Sequence, residues 1–262
     1  MSPAKDTVQV RLSTTLGGDV EIVTLTETGP STGIFRGNVA LAQKSGSPQP
    51  GVLETDILRE PPYGRDTISA DYDNGAATGT ASLVGSVLKL LDRFGRPATR
   101  FAMGESILIQ AVAPLRNEYT WFPEQIPFHL TAGNGSDDEW VYLTETGGDT
   151  GVFEGSFLAT GNPPIRSNGV LETAPGQDVQ ATLQDFDLPT FSQAGATMVA
   201  SSVELMDAQG KPATFYLEST RAYVSVFDTA ANLNPSVRDT TTVQMTADLS
   251  GDQETITLQE TG

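Results

Sequence analysis

The chain has 262 residues, with 33 acidic against 15 basic side chains, a formal charge of -18, a single His and no Cys. That charge repels nucleic-acid phosphates and anionic membranes, and the absence of Cys removes disulfides, thiolate metal sites and thiol nucleophiles. With His129 alone, most Ser–His and His-metal chemistry is also removed, so the composition disfavours an enzyme. No apolar run reaches the ~18 residues of a membrane helix, which argues against direct membrane insertion, and the opening residues Met1 to Lys5 have no apolar stretch of the secretory-leader kind.

From the amino terminus, Val8, Val10 and Leu12 alternate with polar residues, which predicts a strand with one buried face. Leu-Gly-Gly-Asp at 16–19 is a hairpin turn, and Glu21 follows two positions after its Asp. LTETG at 25–29, GIFRG at 33–37, GVLET at 51–55 and D-T-I-S-A-D-Y at 66–72 come next. The run SLVGSVLKLLDRF at 82–94 is the nearest thing to a helical period, but it has an interior Gly and sits between turn residues, so it reads as a strand. Ile126, Phe128 and Leu130 alternate again, followed by Gly-Ser-Asp at 135–137 and Glu139. LTETG returns at 143–147, GVFEG at 151–155 and GVLET at 169–173. Finally VELMDAQGKPATFY from Val203 echoes VLKLLDRFGRPATRF from Val87, and Val243 and Met245 alternate before Ser-Gly-Asp at 250–252, Glu254 and LQETG at 258–262.

These motifs recur in one order at spacings of 118 and 115 residues, a period that makes the unit a whole domain. The expected fold is all-β: tandem immunoglobulin-like antiparallel β-sandwiches of about 115 residues, with a barrel as the alternative. Residues 1–82 are then the later two-thirds of a repeat, 83–200 a complete repeat, and 201–262 the first third of the next. That phase suggests an excerpt from a longer tandem array, or a subunit whose partial ends complete each other between molecules.

The run of D-T-x-x-V, G-D-x-E, L-T-E-T-G-x-x-T-G-V-F-x-G, G-V-L-E and D-x-I-x-A-x-Y resembles the tandem Ig-like repeats of very large bacterial cell-surface and adhesin-like proteins. The resemblance spans nearly the whole chain. It implies an extracellular, elongated, non-catalytic array, in some cases with calcium at domain junctions.

Three groups of oxygen-bearing side chains are candidate Ca²⁺ ligands, because Ca²⁺ takes six to eight oxygens from irregular backbone. They are Asp71 with Asp73, Asp185 with Asp187 as their counterparts in the next unit, and Asp228, Asn232 and Asn234 before Pro235. The segment matching 228–234 is 113–119, which keeps only Asn117, so a site in one copy is not expected in the other. The alternative is that these residues are turn formers. Glu145, like Glu27 and Glu260, lies two positions after an inward Leu; it either ligates a cation or caps the amides of the Gly-rich turn at 147–151. G-N-G-S-D at 133–137 is a hairpin tip, and Gly147 to Gly151 lacks the Lys-Ser or Lys-Thr of a phosphate loop.

His129 alternates with Phe128 and Leu130 and is expected on the solvent face. A Lys–Asn isopeptide staple is not expected, since Lys89 faces Glu204 at the matching position of the other copy. A carboxylate-pair hydrolase lacks the aromatic groove a glycan needs. Tyr119, Trp121 and Phe122 are expected either to pack over an interdomain joint or to form a recognition surface. The expected function is a structural spacer, or a surface-lattice (S-layer) or filament element, whose partners are neighbouring repeats or copies of itself. The alternatives are an adhesin module that grips glycan or a surface protein, and a self-assembling filament subunit.

Overall fold

A computed structural model of the protein describes residues 4–133, 135–234 and 236–261, so Asn134 and Pro235 of the motifs above lie outside the described residues. Strands make up 50% of the chain and helix 2%, which makes the protein all-β with several sheets. The chain divides into two units, Met1–Ser86 with Gln184–Ser192, and Val87–Leu183 with Gln193–Gly262. The segment 184–192 thus belongs to the unit before it in sequence, and residues 201–262 group with the second unit.

The first unit holds β1 (Thr7–Thr14), β2 (Val20–Glu27), β3 (Phe35–Arg36), β4 (Ala40–Gln43), β5 (Val52–Thr55), β6 (Ile57–Leu58), β7 (Gly64–Arg65), β8 (Thr67–Tyr72) and β9 (Ala77–Ser82). Five of these form a sheet in the order β3-β2-β1-β8-β9, and β4 runs parallel to β5 beside it. The β8–β9 hairpin turns through Asp73 and Asn74, both at φ 54°, where short polar side chains tolerate the left-handed region.

The strands that follow are β10 (Val87–Leu91), β11 (Arg100–Ala102), β12 (Ser106–Val112), β13 (Gln125–Ala132), β14 (Asp137–Glu145), β15 (Val152–Thr160), β16 (Leu171–Glu172), β17 (Asp178–Gln184), β18 (Phe191–Val199), β19 (Ser202–Met206), β20 (Tyr223–Phe227), β21 (Thr240–Ala247) and β22 (Asp252–Gln259). Eight of them join in the order β10-β12-β15-β14-β13-β17-β18-β11. In a flat sheet, seven steps of about 4.8 Å would put the two edge strands about 34 Å apart. The connection from Leu91 to Arg100 spends part of its short length on a turn closed by Gly95 N–H to Asp92 O, and cannot reach that far. The path must therefore fold over on itself, which places Leu88, Leu90, Phe101, Ile107, Ile109, Phe128, Leu130, Leu143, Phe153, Val179 and Met198 in one buried core.

The segments that match in sequence also match in pairing. Leu25 opposes Val8 and Glu27 opposes Phe35, just as Leu143 opposes Ile126 and Glu145 opposes Phe153. The order β3-β2-β1-β8-β9 repeats β15-β14-β13-β17-β18 strand for strand. Hairpin β19–β20 repeats β10–β12, with Met206 opposite Tyr223 as Leu91 is opposite Leu108, and β21–β22 repeats β13–β14. One sequence correspondence shifts by a residue. Ile68 pairs with Thr14 while Val179 pairs with Ala132, so the counterpart of Asp66 is Gln177. By the same register the counterparts of Asp71 and Asp73 are Thr182 and Gln184, and not Asp185 and Asp187.

The F-x-G of the repeated motif has a steric cause. A Cβ on Gly155 would lie 2.8 Å from Leu143 Cδ2, and one on Gly37 would lie 2.6 Å from Leu25 Cδ2. The Leu of LTETG therefore lies against the bare backbone of this Gly. Because Leu143 is fully buried it has nowhere to retreat, and Gly155→Ala is expected to destabilise the second unit by about 1–3 kcal/mol in urea unfolding.

Candidate functional site

Several of the repeated acidic residues end up as caps on backbone amides. Glu145 is 4% exposed, and its Oε1 accepts Thr150 N–H and Gly151 N–H at 2.8 Å each and the Thr150 hydroxyl at 3.1 Å. Glu27 repeats this with Gly33 N–H at 2.8 Å and the Thr32 hydroxyl at 3.3 Å. Asp19 and Asp137, the Asp of the hairpin motif, each accept the backbone N–H of the Glu in GVLE, at 2.8 Å from Glu54 and 2.7 Å from Glu172. Those Glu side chains are buried in turn: Glu54 holds Ser45, and Glu172 holds Ile165 N–H and the Asn168 amide. Glu139 accepts Asn168 N–H at 3.0 Å and Gly169 N–H at 2.6 Å. Asp92 and Asp207 close the D-x-x-G turns by accepting two amides each.

Sequence reasoning missed several members of this set. Asp66 is fully buried and takes five amides: Thr15, Leu16 and Thr67 on Oδ1 at 2.7–2.8 Å, Gly17 and Asp56 on Oδ2 at 2.7 and 3.2 Å. Glu124 and Asp239 stand at matching positions and each hold two loop amides, those of Glu118 and Tyr119 and those of Leu233 and Asn234. The recurrence of GVLE pointed to Glu54 and Glu172. Asp66 opens the D-x-I-x-A-x-Y motif, but its role as a cap does not recur, because its register counterpart is Gln177.

The candidate Ca²⁺ residues are held as follows. Asp71 Oδ1 accepts Gly75 N–H at 2.7 Å and Asp73 forms the hairpin turn. Asp185 and Asp187 share a guanidinium: Arg65 gives Nη2 to Asp185 at 2.8 Å and to Asp187 at 3.0 Å, and Nε to Asp185 at 3.2 Å. All three lie in the first unit. Asp228 caps a 3₁₀ turn, Thr229–Ala231, through Ala230 N–H at 2.9 Å, while Asn232 ends that turn and Asn234 accepts Ser236 N–H at 3.0 Å. The matching turn Pro114–Arg116 has Ala113 in place of Asp228 and makes no such cap, its start being set by Pro114. Among the described residues no three His, Cys, Asp or Glu side chains group as a metal site.

His129 is half-exposed, stacked on Trp140 at 4.8 Å and hydrogen-bonded to Asp138. Tyr119, Trp121 and Phe122 form their own cluster, with Tyr119 stacked on Phe122 at 4.9 Å and Trp121 edge-on to Phe122 at 4.7 Å. Their backbone sits on Gly148, where a Cβ would come within 3.0 Å. This contact is with a turn of the same unit, and Trp121 is 77% exposed.

Burial tends to raise the carboxyl pKa of Glu145, Asp66 and Asp185. The amides at Glu145 and Asp66, and Arg65 with amides at Asp185, outweigh it and hold all three below the ordinary range. The Gly33 amide lowers Glu27, and the Asn168 side chain lowers Glu172. Asp137 goes the other way: burial, then the charges of Glu172 and Glu139, raise it against two amides, and its Oδ1 has no partner.

No known protein-family model matches the sequence, and comparison with curated proteins returns no match. No helix among the described residues is long and apolar enough to cross a membrane.

The lowered carboxyls bind fewer protons folded than unfolded, so their contribution is present above about pH 4.5 and is lost as pH falls through the lowered values. Asp137 has the opposite sign, its contribution fading as pH rises through its raised value. The lowered groups outnumber it, so thermal melts should show stability falling below about pH 4.5, and Glu145→Gln should lower Tm at neutral pH and flatten that acid limb. Arg65→Met leaves Asp185 and Asp187 facing each other without their cation and should cost the first unit about 3–5 kcal/mol in denaturant melts. Adding Asp185→Asn and Asp187→Asn should recover much of that loss.

Proposed function

We propose that the chain is a stretch of tandem immunoglobulin-like repeats acting as a structural spacer or surface-lattice element of a long extracellular protein. The observation that carries this reading is the fate of the recurring acids. Glu27 and Glu145, Asp19 and Asp137, Asp92 and Asp207 each bind amides of their own turns and strand ends, so the motif that recurs serves the fold of each unit. A sequence selected around a ligand would keep its distinctive polar groups facing outward. The two-layer closure of eight strands over an aliphatic and Phe core supports a sandwich of this kind.

In this reading Ca²⁺ has its place at half-buried Asp228 and exposed Asn232 and Asn234, and not at Asp185 and Asp187, whose cation is Arg65. A second reading, an adhesin module, is favoured by the exposed stack of Tyr119, Trp121 and Phe122, an amphipathic surface of the kind that grips glycan or protein.

The spacer reading is tested by small-angle scattering of the chain and of a version with residues 83–200 inserted a second time. The maximum dimension should grow by one domain length, and an unchanged dimension overturns it. Millimolar Ca²⁺ should raise Tm in the parent chain and leave Asp228→Ala unmoved, while no shift in either removes the calcium part. A glycan array that binds the parent chain and loses binding with Trp121→Ala would favour the adhesin.

A further inference from the structure

The β13–β14 hairpin of the second unit turns large aromatic side chains outward. Strands β12, β15, β14, β13 and β17 are successive neighbours in the sheet, with β14 in the middle. Along β14 the inward residues Glu139, Leu143 and Glu145 are buried, whereas Trp140 and Tyr142 on the other face are 62% and 64% exposed. Trp140 stands across from His129, and Tyr142 across from Pro127. The His129 ring stacks on the indole at 4.8 Å and is itself hydrogen-bonded to Asp138, so the indole is held as a platform.

The matching hairpins keep the same register without these rings. In β2 the two positions hold Ile22 and Thr24, opposite Arg11 and Gln9, and in β22 they hold Thr255 and Thr257, opposite Gln244 and Thr242. Strand pairing therefore does not call for aromatics here, and exposed rings that the fold does not need mark a recognition surface. The formal charge around them is of one sign. None of β12, β13, β14, β15 and β17 contains Lys or Arg, while Asp138, Glu154 and Asp178 stand among their outward side chains. Glu154 accepts the Gln110 amide and Asp178 the Thr197 hydroxyl, at 2.8 Å each, and both donors are neutral.

We propose that the outer face of the β13–β14 hairpin is a docking surface for an extended cationic peptide of a second protein, whose Arg side chains stack on Trp140 and Tyr142. A cation is drawn to the negative face of an aromatic ring, and to Trp most of all. Carboxylates on the same face add to that attraction, and the chain charge of -18 draws in cationic partners and repels anionic ones. Side chains two residues apart on one face of a strand are about 7 Å apart, and so are alternate side chains of an extended peptide. The two rings thus fit an R-x-R pattern. Arg is preferred over Lys because its planar guanidinium stacks on a ring and can still fork to a carboxylate such as Glu154. The proposal concerns this one face of the second unit, so it can fail while the spacer reading stands, and the reverse.

The test is fluorescence anisotropy of a labelled S-R-S-R-S-R-S peptide titrated with the full chain, together with NMR of the indole N–H signals. Saturable binding that weakens with added salt is expected, shifting the Trp140 indole signal and leaving that of Trp121 in place. Trp140→Thr with Tyr142→Thr installs the residues of the β22 hairpin; it should keep the fold and weaken binding at least roughly fivefold. A peptide with citrulline for Arg, equal in shape but uncharged, should lose as much. Glu154→Gln leaves both rings in place and should weaken binding about twofold, which keeps the test decisive even if the double variant unfolds. No binding, or equal binding by the double variant, which would mean attraction to net charge alone, overturns the proposal. So does equal binding of the citrulline peptide, or a neutral oligosaccharide that displaces the peptide and shifts the Trp140 signal in its place.

Discussion

Turn and strand-end amides that point into a β-protein have no water to bond, and each one left unpaired costs the fold about 1–3 kcal/mol. This chain meets that constraint with carboxylates. An ionised carboxylate is acceptor-only with room for several donors, so one side chain can satisfy a whole turn; Asp66 does so for five amides. The -18 charge is partly a product of this device, since a share of the acids is buried in backbone cages and not displayed. Each cage fixes a turn, and the turns fix which strands can meet. The register on which both units depend follows from them.

A second constraint is closure. The strand order of the second unit works because β10 and β11, consecutive in the chain, end up at the two edges of one path and force two layers to face each other. Core residues from Leu88 to Met198 are buried between those layers. Where strands equivalent to β10 and β12 do not cover the sheet, as in residues 4–86, the buried apolar side chain among the described residues is Leu53 alone. In the described part of 201–262 it is Met206 alone. The same alternating apolar residues are present in these regions, but alternation buries nothing until a second layer arrives.

Much of the fold was legible because strand alternation and turn chemistry are local. The hairpins at 16–19 and 250–252, the strand nature of 87–91 and the capping role open to Glu145 all follow from neighbours a few residues apart. Legibility failed where a contact joins distant segments. Asp66 finds three of its five amides some fifty residues away, and Arg65 finds Asp185 and Asp187 about 120 residues on. Sequence alignment also misplaced the counterparts of Asp71 and Asp73 by three residues, because Asp185 and Asp187 share their letters and spacing while the strand register puts Thr182 and Gln184 there. The aromatic run at 119–122 was visible as a feature, yet its neighbour, Gly148, lies beyond the intervening hairpin.

The sequence by itself determined the all-β class, the recurrence of one strand-and-turn pattern at 118 and 115 residues, and the absence of thiol chemistry, since these depend on side-chain type and local order. Only the tertiary structure decided which acids are buried in amide cages and which pair is held by Arg65. The reason is physical. A carboxylate has the same chemistry in every copy, and what it does is set by the donors that folding brings to it.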